Sequence, residues 1–173
     1  MRVLPGSSGL RLALGLLALV LVAPVWAEDP AAEYEAIKRA SLEGIESVDV
    51  LVLAAQADSG CHHVADAQIE TEVEARLQRA GISLDPEPDA YLFVSLGSVE
   101  PLTDLLCGFV VSVELHQGVR LVRDLRIATV GITWHRVGFG VTTTAQTPDQ
   151  LRRVLASLVD QFIADYLEQN PTQ

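Results

Sequence analysis

Apolar and polar positions follow two different periods along this chain. From Thr147 to Pro171 the apolar residues return every third or fourth position: Leu151, Val154, Leu155, Leu158, Val159, Phe162, Ile163, Tyr166 and Leu167. At about 100° per residue they cover roughly 220° of a helical wheel, far wider than a coiled-coil seam. Such a stripe predicts one long helix lying on a sheet. Thr147 is the expected N-cap, with Pro148 at the first helical position and Gln150 three residues after Thr147, as in a capping box. Asp149 places negative charge at the positive end of the dipole. Asn170 followed by Pro171 ends the helix. Leu151, Leu155, Leu158 and Phe162, at the centre of the stripe, are expected in the core. Ile163, Tyr166 and Leu167 lie toward one edge and near the end, where a sheet ceases to cover the helix. They are the candidate partner-facing residues.

Upstream the pattern shortens to that of strands. Val48 to Ala54 (VDVLVLA) is almost continuously apolar, as in a central strand covered on both faces. Asp66 to Ala80 returns to helical spacing, with Ile69, Val73, Leu77 and Ala80 on one side and Gly81 as a stop. With the apolar Ile82 and Leu84 beyond it, this reads as the opening of a β-α-β unit. Ala90 to Leu96 predicts a second strong strand. Val99 to Leu106 is ambiguous, with Pro101 and Thr103-Asp104 favouring a loop with one helical turn. Gly108 to Gln117 predicts a third strand, Gly118 a bulge or bend, and Val119 to Arg123 further strand character. Ile127 to Trp134 predicts another strand, with Gly138-Phe139-Gly140 after it. Short connections between the last strands imply an antiparallel meander. Asp29-Pro30 starts a short helix carrying Tyr34 and Ile37 on one side, broken by Gly44. The expected fold is α+β: a single mixed or antiparallel sheet of four to five strands, covered by the long C-terminal helix and a second, shorter one.

Residues 1–27 stand apart. Arg2 and Arg11 precede or flank an apolar run, Leu12 to Val22, that is short for a bilayer span; Pro24 breaks it, and small residues precede Glu28. The pattern predicts a signal peptide cleaved between Ala27 and Glu28, and a single domain over 28–173 in the periplasm or outside the cell. Removing the two arginines from the 12 basic residues leaves ten against 23 acidic ones, a formal charge of −13. That balance argues against nucleic acid and anionic membrane surfaces as partners. No stable membrane anchor is expected once the signal is removed.

Two cysteines in an exported chain, Cys61 and Cys107, are the candidate disulfide. It would close a loop of about 46 residues and contribute on the order of 3–4 kcal/mol. Unpaired thiols or a reactive cysteine are the rival readings. Cys61-His62-His63 suggests zinc, but adjacent residues rarely converge on one ion, and His116 and His135 stand alone on strands. There is no nucleophile elbow, no H-E-x-x-H, no phosphate loop and no dinucleotide fingerprint. No catalytic residue, cofactor or metal ligand set is therefore assigned. Asp165, between Phe162 and Tyr166, is the one acid flanked by the apolar arc; a basic residue such as Arg136 is its candidate partner.

Glu72 to Ile82 (EVEARLQRAGI), Tyr91 to Val94, Ile127-Ala128-Thr129 ahead of Thr133-Trp134, and the closing Val159-Asp160, Phe162, Asp165-Tyr166-Leu167 and Asn170-Pro171 together resemble a group of small exported bacterial proteins of uncharacterised function. Here Val130, Gly131 and Ile132 separate Ala-Thr from Thr-Trp, where that group has them close. The element order is similar to the N-terminal domain of the Tol translocation protein and to outer-membrane activators of peptidoglycan synthases. The resemblance implies an envelope location and supplies no activity. The expected function is a non-catalytic binding or envelope-assembly module, with a protein partner or small ligand. The alternative is a small exported hydrolase or metal-dependent enzyme using His62, His63 and Asp66.

Overall fold

A computed structural model describes residues 29–54, 66–103 and 105–171. The order is α1 (Pro30–Ala40), β1 (Ser47–Ala54), α2 (Asp66–Arg79), β2 (Ser83–Leu84), β3 (Ala90–Thr103), β4 (Leu106–Leu121), β5 (Asp124–Thr143) and α3 (Thr147–Gln169). The five strands form one mixed sheet in the order β2-β1-β3-β4-β5. β1 is parallel to β2 and β3, and β3, β4 and β5 form an antiparallel meander. The fold is α+β, and the β1-α2-β2 unit is present as expected.

Each helix forms for a local reason. Asp29 caps α1 by accepting from Ala31 N at 3.0 Å, and Pro30 occupies its first turn. Gly81, with φ of 83°, ends α2 in a conformation that disfavours a side chain. α3 starts one residue earlier in role than expected. Its N-cap is Gln146, at the end of a 3₁₀ turn, and makes no side-chain cap bond. Thr147 is already helical and buried; its Oγ1 donates to Thr143 O at 3.0 Å. The 3₁₀ turn takes over the capping because β5 feeds straight into the helix.

α2 packs on β1 and β2, and α3 lies on β4 and β5. Both are on the same face. The core between them holds Val48, Val50, Leu92, Val94, Val111, Val113, Leu115 and Trp134 from the sheet, and Ile69, Val73, Leu77, Leu151, Leu155, Leu158, Val159 and Phe162 from the helices. Trp134 meets the Phe162 ring edge-on at 5.2 Å. The four residues predicted at the centre of the stripe, Leu151, Leu155, Leu158 and Phe162, are all core.

Three expectations change. β1 is not covered on both faces: Leu51 and Leu53 are exposed, because among the described residues no helix packs over them. Val99 to Leu106 is not a loop but the β3–β4 hairpin; the ladder breaks between Val99 and Thr103, which accommodates Pro101 and its missing N–H. β5 continues through Gly138-Phe139-Gly140 to Thr143. The glycines belong to the strand because of what lies over them. A Cβ on Gly138 would stand well inside van der Waals contact with Val154 Cγ1 on α3, and one on Gly140 would meet Phe109 Cζ at 2.6 Å.

Candidate functional site

Three regions concentrate chemistry or exposed surface. The first is a polar clamp where α1 and the turn after it meet α3 and the edge strand β5. Asp165 accepts from Trp134 Nε1 at 2.9 Å and from Arg136 Nη2 at 3.3 Å. The Arg136 guanidinium also lies 5.2 Å from the Trp134 ring centre and 2.7 Å from Glu35. Glu35 in turn bonds Lys38 at 2.6 Å. The Lys38 ammonium, and after it Arg136, holds the Glu35 carboxyl below the usual glutamate range. Lys38 Nζ donates to His135 O at 3.5 Å, and Ser41 Oγ to Thr133 O at 3.2 Å. α1 thus covers the middle of an otherwise open sheet edge, a common protection against edge-to-edge pairing.

The closing motif belongs to this clamp. Tyr166 OH donates to Ile45 O at 2.7 Å. Asn170 Nδ2 donates to Leu42 O at 2.9 Å and to Tyr166 O at 3.0 Å, while its Oδ1 accepts from Gly44 N at 2.9 Å. Asp165, Tyr166 and Asn170 therefore tie the two ends of the described chain together. This corrects one candidate: Tyr166 is 1% exposed and presents no surface to a partner, because the Leu42–Ile45 turn closes over that side of α3. Ile163 is partly buried against the core, and Leu167 is exposed. Asp165 pairs with Arg136 as expected. With every charge in the clamp matched, its chemistry is that of a fastening.

The second region is a crevice of about 190 Å³ between α2 and α3, lined by Glu72, Arg76, Arg152 and Arg153 over Val73 and Val159. Its arginines are engaged. Arg76 bonds Asp160 at 2.9 Å, Arg152 Nε lies 3.5 Å from Glu72, and Arg153 Nε donates to Asp149 O at 3.3 Å. The Arg152 Nε contact lacks hydrogen-bond geometry, so that atom is buried without a bond.

The third region is the far face of the sheet, and it was not anticipated. Side chains alternate across a strand, so the registers place Leu51, Phe93, Glu114 and His135 in one row, and Leu53, Ser95, Ser112 and Val137 in the next. Gly97, Val110 and Phe139 follow, then Gly108 and Val141. Leu53 is 64% exposed, Val137 53% and Phe139 84%; Val110 and Val141 are exposed as well. On the other side of the Leu51 row the face turns polar. There His116 Nε2 lies 3.2 Å from Glu114, and its ring packs 4.2 Å from that of Phe93. His135, beside Glu114, faces Tyr34 of α1 with ring centres 6.4 Å apart. Tyr34 and Ile37 are exposed, so the apolar side of α1 is turned to solvent while Lys38 on its other side is buried.

The sequence-predicted chemistry falls mostly outside this picture. Cys61, His62, His63 and the junction Ala27–Glu28 lie outside the described residues. Asp66 begins α2. Cys107 opens β4, buried, with Sγ 3.5 Å from Thr144 Oγ1. Among the described residues no cluster of three or more His, Cys, Asp or Glu is arranged to hold a metal ion, and no helix is long and apolar enough to cross a membrane. The fold and this face define a two-layer α+β domain with helices on one side of its sheet. A scan against protein-family models and a search of curated proteins found no match to the chain.

Proposed function

We propose that the protein is an exported, non-catalytic binding module of the cell envelope, and that its partner, a protein, docks on the helix-free face of the sheet. One observation carries the reading: the exposed apolar side chains Val137, Phe139 and Val141 along β5 and Val110 beside them on β4, with Leu53 across two serines on β1. Monomeric proteins rarely expose such a patch without using it. The leader pattern of residues 1–27 supports export, with cleavage between Ala27 and Glu28. Export in turn favours a Cys61–Cys107 disulfide that pins the segment after β1 to the start of β4. Mass spectrometry of the exported protein before reduction checks it: alkylation should label no thiol until a reductant is added, and two thereafter. Free thiols in the unreduced protein would refute the bridge.

The docking face is tested by placing a photo-crosslinking amino acid at position 139 and, as a control, at position 79 on α2. Crosslinks to a defined protein in living cells are expected from position 139 alone, and a Val137→Asp substitution should abolish them. Equal labelling from both positions, or no product from position 139, would count against the reading.

A further inference from the structure

The chain is strongly acidic, yet the exposed apolar face is free of charge. Val50 to Ala54, Phe93 to Gly97, Cys107 to Val113 and Val137 to Thr143 contain no charged side chain. These four segments lie on adjacent strands β1, β3, β4 and β5. Two copies of a molecule with a formal charge of −11 repel each other almost everywhere. Here they can approach without bringing carboxylates together.

The relief of the face is self-complementary. Across one row the side chains run large, small, small, large: Leu53, Ser95, Ser112, Val137. By side-chain size the row dips at Ser95 and Ser112, which leaves a hollow between Leu53 and Val137. Phe139, one position further along β5 on the same face, stands 84% exposed beside it. The exposed apolar residues of the face, Leu51, Leu53, Val110, Val137, Phe139 and Val141, present on the order of 600 Å² per copy, at the top of the range for a monomer's largest patch and approaching the roughly 800 Å² per partner of a standard-size interface.

We infer that the face binds a second copy of this chain, in a twofold dimer in which Phe139 of each copy enters the Ser95–Ser112 hollow of the other. This rests on the docking face proposed above and names its occupant. A twofold axis makes the contact reciprocal, so one knob and one hollow supply both halves of the interface. The two sheets then stack about 10 Å apart with the helical layers outside, the usual geometry of face-to-face sheets. The polar side chains of Glu114, His116 and His135, in the Leu51 row and the one beyond it, fall at the rim, where charged groups belong.

Sedimentation equilibrium of the exported, unreduced protein over a range of micromolar concentrations tests this. Twice the chain mass is expected, with concentration-dependent thermal unfolding. Phe139→Asp should return the chain mass with an unchanged far-UV circular dichroism spectrum. The milder Phe139→Ala should weaken the dimer about thirtyfold or more, as for a central hot-spot residue. Ser112→Trp, which fills the hollow, should also weaken it, whereas Leu125→Asp at the β4–β5 hairpin tip should leave it intact. A wild-type monomer throughout that range overturns the inference, as does a dimer that survives both Phe139→Asp and Ser112→Trp. If the wild type is monomeric while position 139 still crosslinks to another protein, the docking face stands and only its occupant is wrong. If it is monomeric and position 139 captures nothing, both fail.

Discussion

Gly138 and Phe139 are neighbours on β5 and point to opposite faces of the sheet. The side with no side chain is the covered one: Val154 and Leu158 of α3 fill the space a Cβ would need. The side with the largest apolar ring is the open one. Burial in this molecule is thus set by where the helices lie, not by the hydrophobicity of each strand position. The covered face is closed by side chains of α2 and α3 and by the clamp at the end of α3. The open face is apolar around Phe139, and among the described residues only Tyr34 of α1 reaches its edge, against His135.

The sharpest way to break the comparison is to truncate one phenylalanine on each side. Phe162→Ala, in the core against Trp134, should cost about 3–5 kcal/mol in denaturant unfolding. Phe139→Ala should cost less than about 0.5 kcal/mol when measured at concentrations too low for association, as for other exposed positions. Similar losses at both positions would mean that the open face is folded over by part of the chain itself. The glycines give a second contrast. Gly138→Val should destabilise by about 1–3 kcal/mol, because α3 must shift to make room. Gly118→Ala on the β4–β5 hairpin, where nothing lies within 4 Å, should be close to neutral.

The asymmetry between the faces explains which features were legible in the sequence. The helical period around Phe162 specifies a face, and a helix that long has only one way to bury it, so the core of α3 was readable. VDVLVLA is different. A continuous apolar strand reports only that neither of its faces prefers water; it does not distinguish a covering helix from a second molecule. Leu51 and Leu53 were accordingly expected to be inside. Tyr166 fails for another reason. Its hydroxyl bonds Ile45 O, 121 residues away, and no local periodicity encodes the turn that closes over it. Tyr34 and Ile37 marked the apolar side of α1 correctly, but periodicity does not say which side the protein uses.

The clamp that holds the covered face shut yields a smaller effect. Asn170→Ala removes two hydrogen bonds that join the end of α3 to the turn after α1 and one back to Tyr166 O, and should cost about 1–3 kcal/mol. Tyr166→Phe keeps the packing and loses only the bond to Ile45 O, at about 1 kcal/mol. That variant also has a signature in pH. Burial, and then the nearby Asp89 and Glu46 charges, push the Tyr166 phenol above its ordinary value. A group whose value is raised by folding contributes stability that is complete below its unfolded value, about 10, and is lost as pH rises through the folded one. The wild type should therefore lose stability faster than Tyr166→Phe above about pH 10, and parallel alkaline limbs would show that the phenol is not the group responsible.

The smallest effect sits at the rim of the clamp, where α1 reaches β5. Glu35 is partly exposed, and its ion pairs with Lys38 and Arg136 are screened by water. Its carboxyl is nevertheless held below the ordinary value, first by the bond to Lys38. The sign is opposite to that of the tyrosine: the contribution is complete above the unfolded value, about 4.3, and disappears as pH falls through the folded one. Glu35→Gln should thus lower the Tm by a small amount at pH 7, an amount that added salt reduces and that shrinks toward zero only as pH falls well below 4. Because α1 shields the Thr133 and His135 carbonyls of β5, the same variant should raise the hydrogen-exchange rate of α1 amides before it changes that of the sheet core. Equal acceleration in both would mean that α1 is part of the cooperative core and not a cover over the edge strand.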